Sequence, residues 1–197
     1  MDQINRVKSI SIWIFIVPFI AVNLCLLLIT KFHGLFPNQA DIIHNTFPYF
    51  DGGASISRTA RPYPSWLIFK PAMFLTSFLL IKYWLYNKYI IQSFEKNHKH
   101  IKKVVYFGIA SAIALTIHSI FLGIKFDNDI YKLFRRVIML LFIIFEIAAQ
   151  AYLVAALYSF RAKLSKYING IYLATKLCLV SILIILAVIS IPIISLP

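Results

Sequence analysis

Five apolar stretches, each long enough to cross a membrane, alternate with polar segments along this chain of 197 residues. They are residues 10–30, 66–86, 104–124, 137–160 and 177–197. A helix needs about 20 apolar residues to cross the hydrocarbon core. Strands are excluded, because lipid accommodates only helices or closed barrels, and a barrel would alternate over segments of about 10 residues. The pattern predicts an all-α polytopic transmembrane helical bundle with five spans, or six if one is undetected, in a single domain over residues 1–197.

The composition supports the same prediction of a membrane protein. Hydrophobic residues make up 60% of the chain and charged residues 14%, whereas soluble domains are roughly 45–50% apolar and 25% charged. We therefore expect an integral membrane protein of a plasma membrane or a bacterial inner membrane. The first apolar stretch is too long for the core of a signal peptide and is followed by no small-residue cleavage site, so we expect a retained helix.

The basic residues are distributed unevenly between the two sides of a five-span chain. With a cytoplasmic N-terminus, 12 Lys and Arg residues fall inside and 8 fall outside, in the sense of the positive-inside rule. We therefore expect the N-terminus in the cytoplasm and the C-terminus outside. Residues 88–103 and 161–166 would be cytoplasmic, and residues 31–65 and 125–136 would lie on the opposite side.

The chain has a net charge of +13. Because the basic residues are distributed as expected for membrane topology, no nucleic acid partner is expected. The inner segment NKYIIQSFEKNHKHIKK, residues 87–103, either attracts anionic lipid headgroups or only orients the chain. His98 and His100 within it are expected to be solvated. No histidine pair lies inside a predicted span at metal-ligand spacing, and we expect neither a metal nor another cofactor.

A polar strip, DGGASISRTARPYPSWLIFKP at residues 51–71, comes directly before the second apolar stretch. Its glycines and prolines indicate turns rather than a long helix, and Ser65 is predicted to cap the helix that follows. Arg58 and Arg61 would lie at the outer headgroup level, where guanidinium groups bind phosphate through two hydrogen bonds. With Lys70 beneath them they are the candidates for a lipid headgroup site. The alternative is a pair of interfacial arginines that snorkel.

The segment PYFDGGASISRTARPYPSWLIFKPAMF around this strip resembles the signature of the Frag1/DRAM/Sfk1 family of polytopic membrane proteins. The matching positions are Pro48, Tyr49, Ile56, Ser57, Thr59, Ala60, Pro64 and Phe69. The resemblance covers residues 45–80. The family usually has six spans, and it has a glycine where this chain has Ala60 and Arg61. The resemblance implies a role in organising or remodelling membrane lipids, and it transfers no catalytic residue.

Four polar side chains inside the predicted spans are candidates for function, because ionisable groups are costly in hydrocarbon. Glu146 and Gln150 lie four residues apart and share one helix face, which we expect to point into the bundle. Lys70 and His118 each lie about 9 Å below the outer boundary at 1.5 Å per residue, in one layer beneath the strip. Glu146 would lie roughly 10 Å deeper.

Three function classes remain open. The strip favours a non-enzymatic factor whose partners are membrane lipids. A lipid-modifying enzyme would combine His118 with a group from the strip. The available groups are Asp51, Ser55 and Ser57, from which a Ser–His–Asp set can be drawn, although no GxSxG motif is present. A small transporter, or an accessory subunit with a membrane-protein partner, would instead depend on Glu146 and its neighbour one turn away.

Overall fold

The computed structural model describes the backbone of residues 2–38, 42–43, 56–124, 129–165, 167 and 169–195. Over these residues the chain is all-α and has no strand. The helices are α1 (Asp2–Lys31), α2 (Ile56–Thr59), α3 (Ser65–Phe94), α4 (Ile101–Phe121), α5 (Asp129–Ser159), α6 (Arg161–Leu164) and α7 (Gly170–Ser195), with a 3₁₀ turn at His33–Leu35. Within the described residues, five of these helices are long and apolar enough to cross a membrane, namely α1, α3, α4, α5 and α7. The predicted helical class and the five candidate spans are confirmed.

The helices differ in length from the apolar stretches that predicted them. α3 continues eight residues past position 86, and α5 begins eight residues before position 137. These extra turns carry Lys88 and Lys132. A helix continues as long as its backbone hydrogen bonds continue, whereas an apolar stretch ends where polar side chains begin. α4 instead ends at Phe121, and Gly123 follows with a φ of 91°, which favours glycine.

Consecutive long helices pack side by side, α1 against α3, α3 against α4, α4 against α5, and α5 against α7. Contacts between the start of one helix and the end of its neighbour show that α1, α3, α4 and α5 alternate in direction: Cys25 Sγ to Ser65 O at 3.3 Å, Lys70 Nζ to Ile120 O at 3.2 Å, and Tyr131 Oη to Phe121 O at 2.5 Å. We call the end of the bundle that holds these contacts the strip end. The opposite end, where α1 begins, is the N-terminal end.

A close contact between α3 and α4 lies in the core. Trp84 of α3 is fully buried, and its indole lies directly against Gly108 of α4. A Cβ atom at Gly108 would come within 2.3 Å of the indole carbons, well inside van der Waals contact. Ile91, Val104 and Leu153 belong to the same buried cluster. Helices α3, α4 and α5 therefore share one core, and its packing requires glycine at this position.

Helix α7 lies at the outside of the bundle. Only 6% of its most apolar window is buried, compared with 39% for α4. It packs along α5, and Lys176 near its start reaches across to α3, where its Nζ lies 3.2 Å from the Tyr83 hydroxyl. Most of the apolar surface of α7 therefore faces the surroundings of the protein.

The described part of the segment between α1 and α3 folds back onto the bundle. Phe36, Ile42 and Ile43 are buried against Ile29 of α1. Within the described residues this segment contains only the 3₁₀ turn and the four-residue α2. The prediction of turns rather than a long helix is confirmed for those residues.

The predicted cap at Ser65 is wrong. Pro64 occupies the N-cap position without a side-chain cap hydrogen bond, and Ser65 is the first residue of α3. Ser65 is fully buried, and its carbonyl accepts a hydrogen bond from the Cys25 thiol of α1. Its small side chain therefore serves the packing of α1 against α3, a tertiary contact that outweighs the local capping preference.

Candidate functional site

An apolar cleft of about 600 Å³ opens between α1, α3, α4 and α5. Phe69, Met73 and Leu80 line it from α3, Leu115 lines it from α4, and Leu122 lines it from the position just after α4. Spacings of four or seven residues place each set on one face. The volume lies within the roughly 300–1,000 Å³ typical of ligand pockets, so the cleft can hold the apolar part of a ligand.

Helix α1 forms one wall of this cleft. Ile14, Pro18 and Val22 line it, and their spacing of four residues places them on one face. Proline has no N–H, so the carbonyl of Ile14 lacks the amide donor that residue i+4 usually provides. The wall from α1 is therefore apolar in its side chains and has an interrupted hydrogen-bond pattern in its backbone.

Residues 56–64 of the strip pack onto the strip end of the bundle. Ile56 lines the cleft, and Thr59 and Ala60 are buried. The carbonyl of Arg61 lies on the turn after α4, where a Cβ atom at Gly123 would approach it to 3.2 Å. These residues therefore fold back over this end of the bundle.

The three headgroup candidates lie at the same end but in different surroundings. Arg58 is exposed on α2, and Arg61 is half-buried. The Lys70 ammonium donates to the Ile120 carbonyl at 3.2 Å and lies 5.5 Å from the centre of the Trp66 ring. Lys70 therefore caps the C-terminal end of α4, where a cation complements the helix dipole. Sequence reasoning did not anticipate this structural role.

His118 and Glu146 line the same cleft from different helices. His118 lies in the last turn of α4, two residues before the carbonyl that Lys70 binds. The prediction that Lys70 and His118 share a layer beneath the strip agrees with this contact. Arg135 of α5 lies close enough to His118 to act on it electrostatically, so the strip end brings several cationic groups together.

Glu146 faces the bundle, as predicted. Its Oε2 accepts a hydrogen bond from Ser111 Oγ of α4 at 2.8 Å, and its Oε1 accepts one from Gln150 Nε2 at 2.9 Å. Gln150 is the neighbour expected from the spacing of four residues. An unpaired carboxyl against an apolar wall would be costly. Both oxygens are engaged, and the carboxyl links α4 to α5.

The geometry of the predicted catalytic set cannot be described, because most of its residues lie outside the described part of the chain. Asp51 and Ser55 lie outside the described residues, and so does the side chain of Ser57 on α2. The Ser–His–Asp set drawn from them with His118 therefore stays a prediction. Among the residues that the structure describes, no three His, Cys, Asp or Glu side chains form a group that could hold a metal ion.

The prediction that the histidines at the N-terminal end are solvated is wrong for His98. His98 is only 9% exposed, and its ring packs on Phe160 with the ring centroids 5.1 Å apart. Its Nε2 shares a hydrogen bond with Ser159 Oγ at 3.3 Å. The connection between α3 and α4 therefore folds against the end of α5, which hydropathy along the chain does not reveal.

His100 is half-buried beside His98, with its ring centroid 5.5 Å from that of Tyr152. Burial lowers the pKa of His100, and the positive charges of His98, Lys99 and Lys103 lower it further. The neutral form of this histidine is therefore favoured in the folded protein.

Three residues that shape the site were not predicted from the sequence: Ile56, Gly108 and Ser111. Gly108 and Ser111 lie three residues apart on α4, and small residues at such spacing mark close helix approach in membrane proteins. This pattern could have identified the face of α4 that meets its neighbours. Ile56 had no comparable signal, because its place on the cleft depends on the path of the strip.

Comparison with known proteins gives no match to a family model, to a curated protein or to a solved structure. The resemblance of the strip to the Frag1/DRAM/Sfk1 family therefore stays a prediction that depends on residues 45–80 alone.

Proposed function

We propose that this protein is an integral membrane protein that binds a phospholipid at the strip end and helps to organise or remodel membrane lipids without catalysing a reaction. The five long helices cross the membrane with the N-terminus in the cytoplasm and the strip outside, in a plasma membrane or a bacterial inner membrane. This is the kind of role that the resemblance to the Frag1/DRAM/Sfk1 family implies.

The position of Ile56 is the main support for the proposal. Ile56 lines the apolar cleft, and it is exposed, as is Arg58 two residues later in the same turn. Helix α2 therefore joins an apolar space to a guanidinium group over a distance that a single lipid spans. Arg61 and Lys70 add positive charge at the same end, and arginine suits phosphate because its planar donors match two phosphate oxygens.

The cleft and the arginines have different tasks in this proposal. Bilayer acyl chains are as apolar as the side chains that line the cleft, so burying a chain there brings no hydrophobic gain, and its contribution is van der Waals packing. Discrimination between lipids comes from hydrogen bonds to the phosphate, each worth about 1.5–3 kcal/mol when a charged group takes part. Glu146 has a structural task, because Ser111 and Gln150 already engage its oxygens.

Replacing both arginines of the strip tests the proposal. Native mass spectrometry of purified Arg58→Gln/Arg61→Gln should show about tenfold weaker retention of phosphatidylglycerol, the loss of one such hydrogen bond, with unchanged folding. The matched control is Lys31→Gln/Arg136→Gln, which removes two exposed positive charges from the same end. An equal loss in both variants would mean that general electrostatic attraction, and not a specific site, retains the lipid. Unchanged retention in the arginine variant would refute a phosphate site.

A second candidate function, a small transporter or an accessory subunit, is favoured by one observation. His118 and Glu146 are ionisable and share the cleft, and such groups in membrane-spanning helices often mark function. This candidate requires Glu146 for activity and tolerates changes in the strip. A lipid-modifying enzyme instead requires His118 together with Asp51, Ser55 or Ser57.

A further inference from the structure

A second groove lies at the N-terminal end, between the last turns of α3 and the first half of α4. Its volume is about 480 Å³. Lys88 of α3 and Lys102 of α4 line it together with apolar side chains that include Val105, Ile109 and Ile113. The groove lies apart from the cleft, since the two share no lining residue.

The lining residues of α4 form one stripe along the helix. They recur every three or four residues, from Lys102 through Tyr106 and Ile109 to Ile113. Ile113 lies eleven positions after Lys102, which corresponds to about 16 Å at 1.5 Å per residue. One leaflet is half of a hydrocarbon core of about 30 Å. The groove therefore has the length of one leaflet, with positive charge at the membrane surface and an apolar floor below it.

Only some of the lysines at this end of the bundle line the groove. The neighbouring Lys103 turns away, with its ammonium 5.0 Å from the centre of the Tyr152 ring on α5. Among the described residues that line the groove there is no acidic side chain. Lys88 is half-buried, with its ammonium 5.8 Å from the centre of the Tyr89 ring, and Lys102 is exposed. Two ammonium groups without a carboxylate favour an anion.

We propose that this groove binds an anionic phospholipid from the leaflet at the N-terminal end. The phosphate lies between Lys88 and Lys102, and one acyl chain follows the stripe of α4 along residues 105–113. The site differs from the proposed strip site in its leaflet and in its cationic residues. It requires that the helices cross a membrane, but it does not require that the strip binds lipid.

A lipid titration followed by native mass spectrometry tests this site. Dioleoyl phosphatidylglycerol and dioleoyl phosphatidylcholine are added separately to the purified full chain. Each basic residue near a membrane surface contributes about a fivefold preference for anionic lipid. Because both proposed sites bind phosphatidylglycerol, the variants are made in the Arg58→Gln/Arg61→Gln background, in which the strip site is weakened. In this background Lys88→Gln/Lys102→Gln should weaken phosphatidylglycerol binding about 30-fold and leave phosphatidylcholine binding unchanged.

The matched control is Lys99→Gln/Lys103→Gln, which removes the same charge from the same end but from outside the groove. In the same background its phosphatidylglycerol affinity should stay within about twofold of the parent value, because these lysines do not line the groove and only diffuse attraction is lost. Equal losses in both double variants would overturn the proposal in favour of diffuse attraction. An unchanged affinity in Lys88→Gln/Lys102→Gln would overturn it as well.

A third variant separates the acyl-chain contact from the charge. Ala110 lines the groove, so Ala110→Trp fills it while keeping both lysines. Phosphatidylglycerol binding should fall, whereas Leu183→Trp on the exposed surface of α7 should have no effect. If Ala110→Trp in the same background binds phosphatidylglycerol like its parent, no acyl chain lies in the groove and the proposal fails.

Discussion

Ser111 at the middle of α4 donates a hydrogen bond of 2.8 Å to Oε2 of Glu146 on α5. The other oxygen, Oε1, accepts from Gln150 at 2.9 Å. A single carboxyl therefore joins two helices that contribute to the cleft. Hydrogen bonds between membrane helices average about 0.6 kcal/mol and reach about 1.7 kcal/mol, so the contact is a moderate contribution to the stability of the bundle.

Glu146→Leu should lower the free energy of unfolding in detergent by about 1–2 kcal/mol, because the Ser111 hydroxyl and the Gln150 amide lose their acceptor. Glu146→Gln should cost less than about 1 kcal/mol, because an amide oxygen can still accept. Thermal unfolding followed by circular dichroism measures both. A leucine variant as stable as the wild type would show that the carboxyl does not hold α4 and α5 together.

The contact between Trp84 and Gly108 gives a second stability prediction. Gly108→Ala should cost about 1–3 kcal/mol through overpacking, because the new methyl group would come within 2.3 Å of the indole. Gly170→Ala is the matched control, since no atom lies within 4 Å of the added Cβ atom, and it should be neutral or slightly stabilising. In a Trp84→Leu background the alanine should be tolerated better. Equal melting temperatures for both alanine variants would contradict the packing described for α3 and α4.

The sequence was sufficient for the long helices because lipid leaves few alternatives for apolar stretches of this length. It was less informative about where helices begin and end. The turns with Lys88 and Lys132 are helical but polar, and Ser65 has a capping side chain but lies in the contact between α1 and α3. Such boundaries depend on tertiary packing, which a linear pattern does not contain.

The same distinction between local pattern and tertiary packing applies to the candidate site. The spacing of Glu146 and Gln150 was enough to predict their contact, because residues four apart share a helix face. The partner on the neighbouring helix, Ser111, depends on the rotation of α4 against α5. The burial of His98 depends on the end of α5 folding over it. Contacts within one helix could be predicted, whereas the partner that a side chain meets on another helix could not.

His100 gives a prediction about pH. Its pKa in the folded protein is lowered by burial and by His98, Lys99 and Lys103, whereas in the unfolded chain it lies near the ordinary value of about 6.5. Between these two values the unfolded chain binds more protons, so stability should decrease as the pH falls below about 6.5. Melting temperatures between pH 5 and 8 should depend less on pH in His100→Gln than in the wild type. Parallel profiles would exclude this histidine as a source of the dependence.

The orientation can be tested by cysteine labelling in intact cells. The background carries Cys25→Ser and Cys178→Ser, so that only introduced thiols react. Asn38 and Asn97 are exposed and lie at opposite ends of the bundle. A membrane-impermeant maleimide added outside should label Asn38→Cys and should label Asn97→Cys only after the cells are permeabilised. The reverse pattern would invert the proposed topology and place the strip in the cytoplasm.

Photolabelling can measure whether a lipid occupies the cleft beneath the strip. A phospholipid with a diazirine at the end of one acyl chain is activated on the membrane-embedded protein, and the labelled residues are mapped by mass spectrometry. We predict labelling concentrated at Met73 and Leu115, which line the cleft, and its loss at Leu115 in Met73→Trp but not in Leu75→Trp, a change on the exposed face of α3. Labelling spread evenly over exposed surfaces such as Leu183 of α7, and unchanged in Met73→Trp, would contradict lipid binding in the cleft.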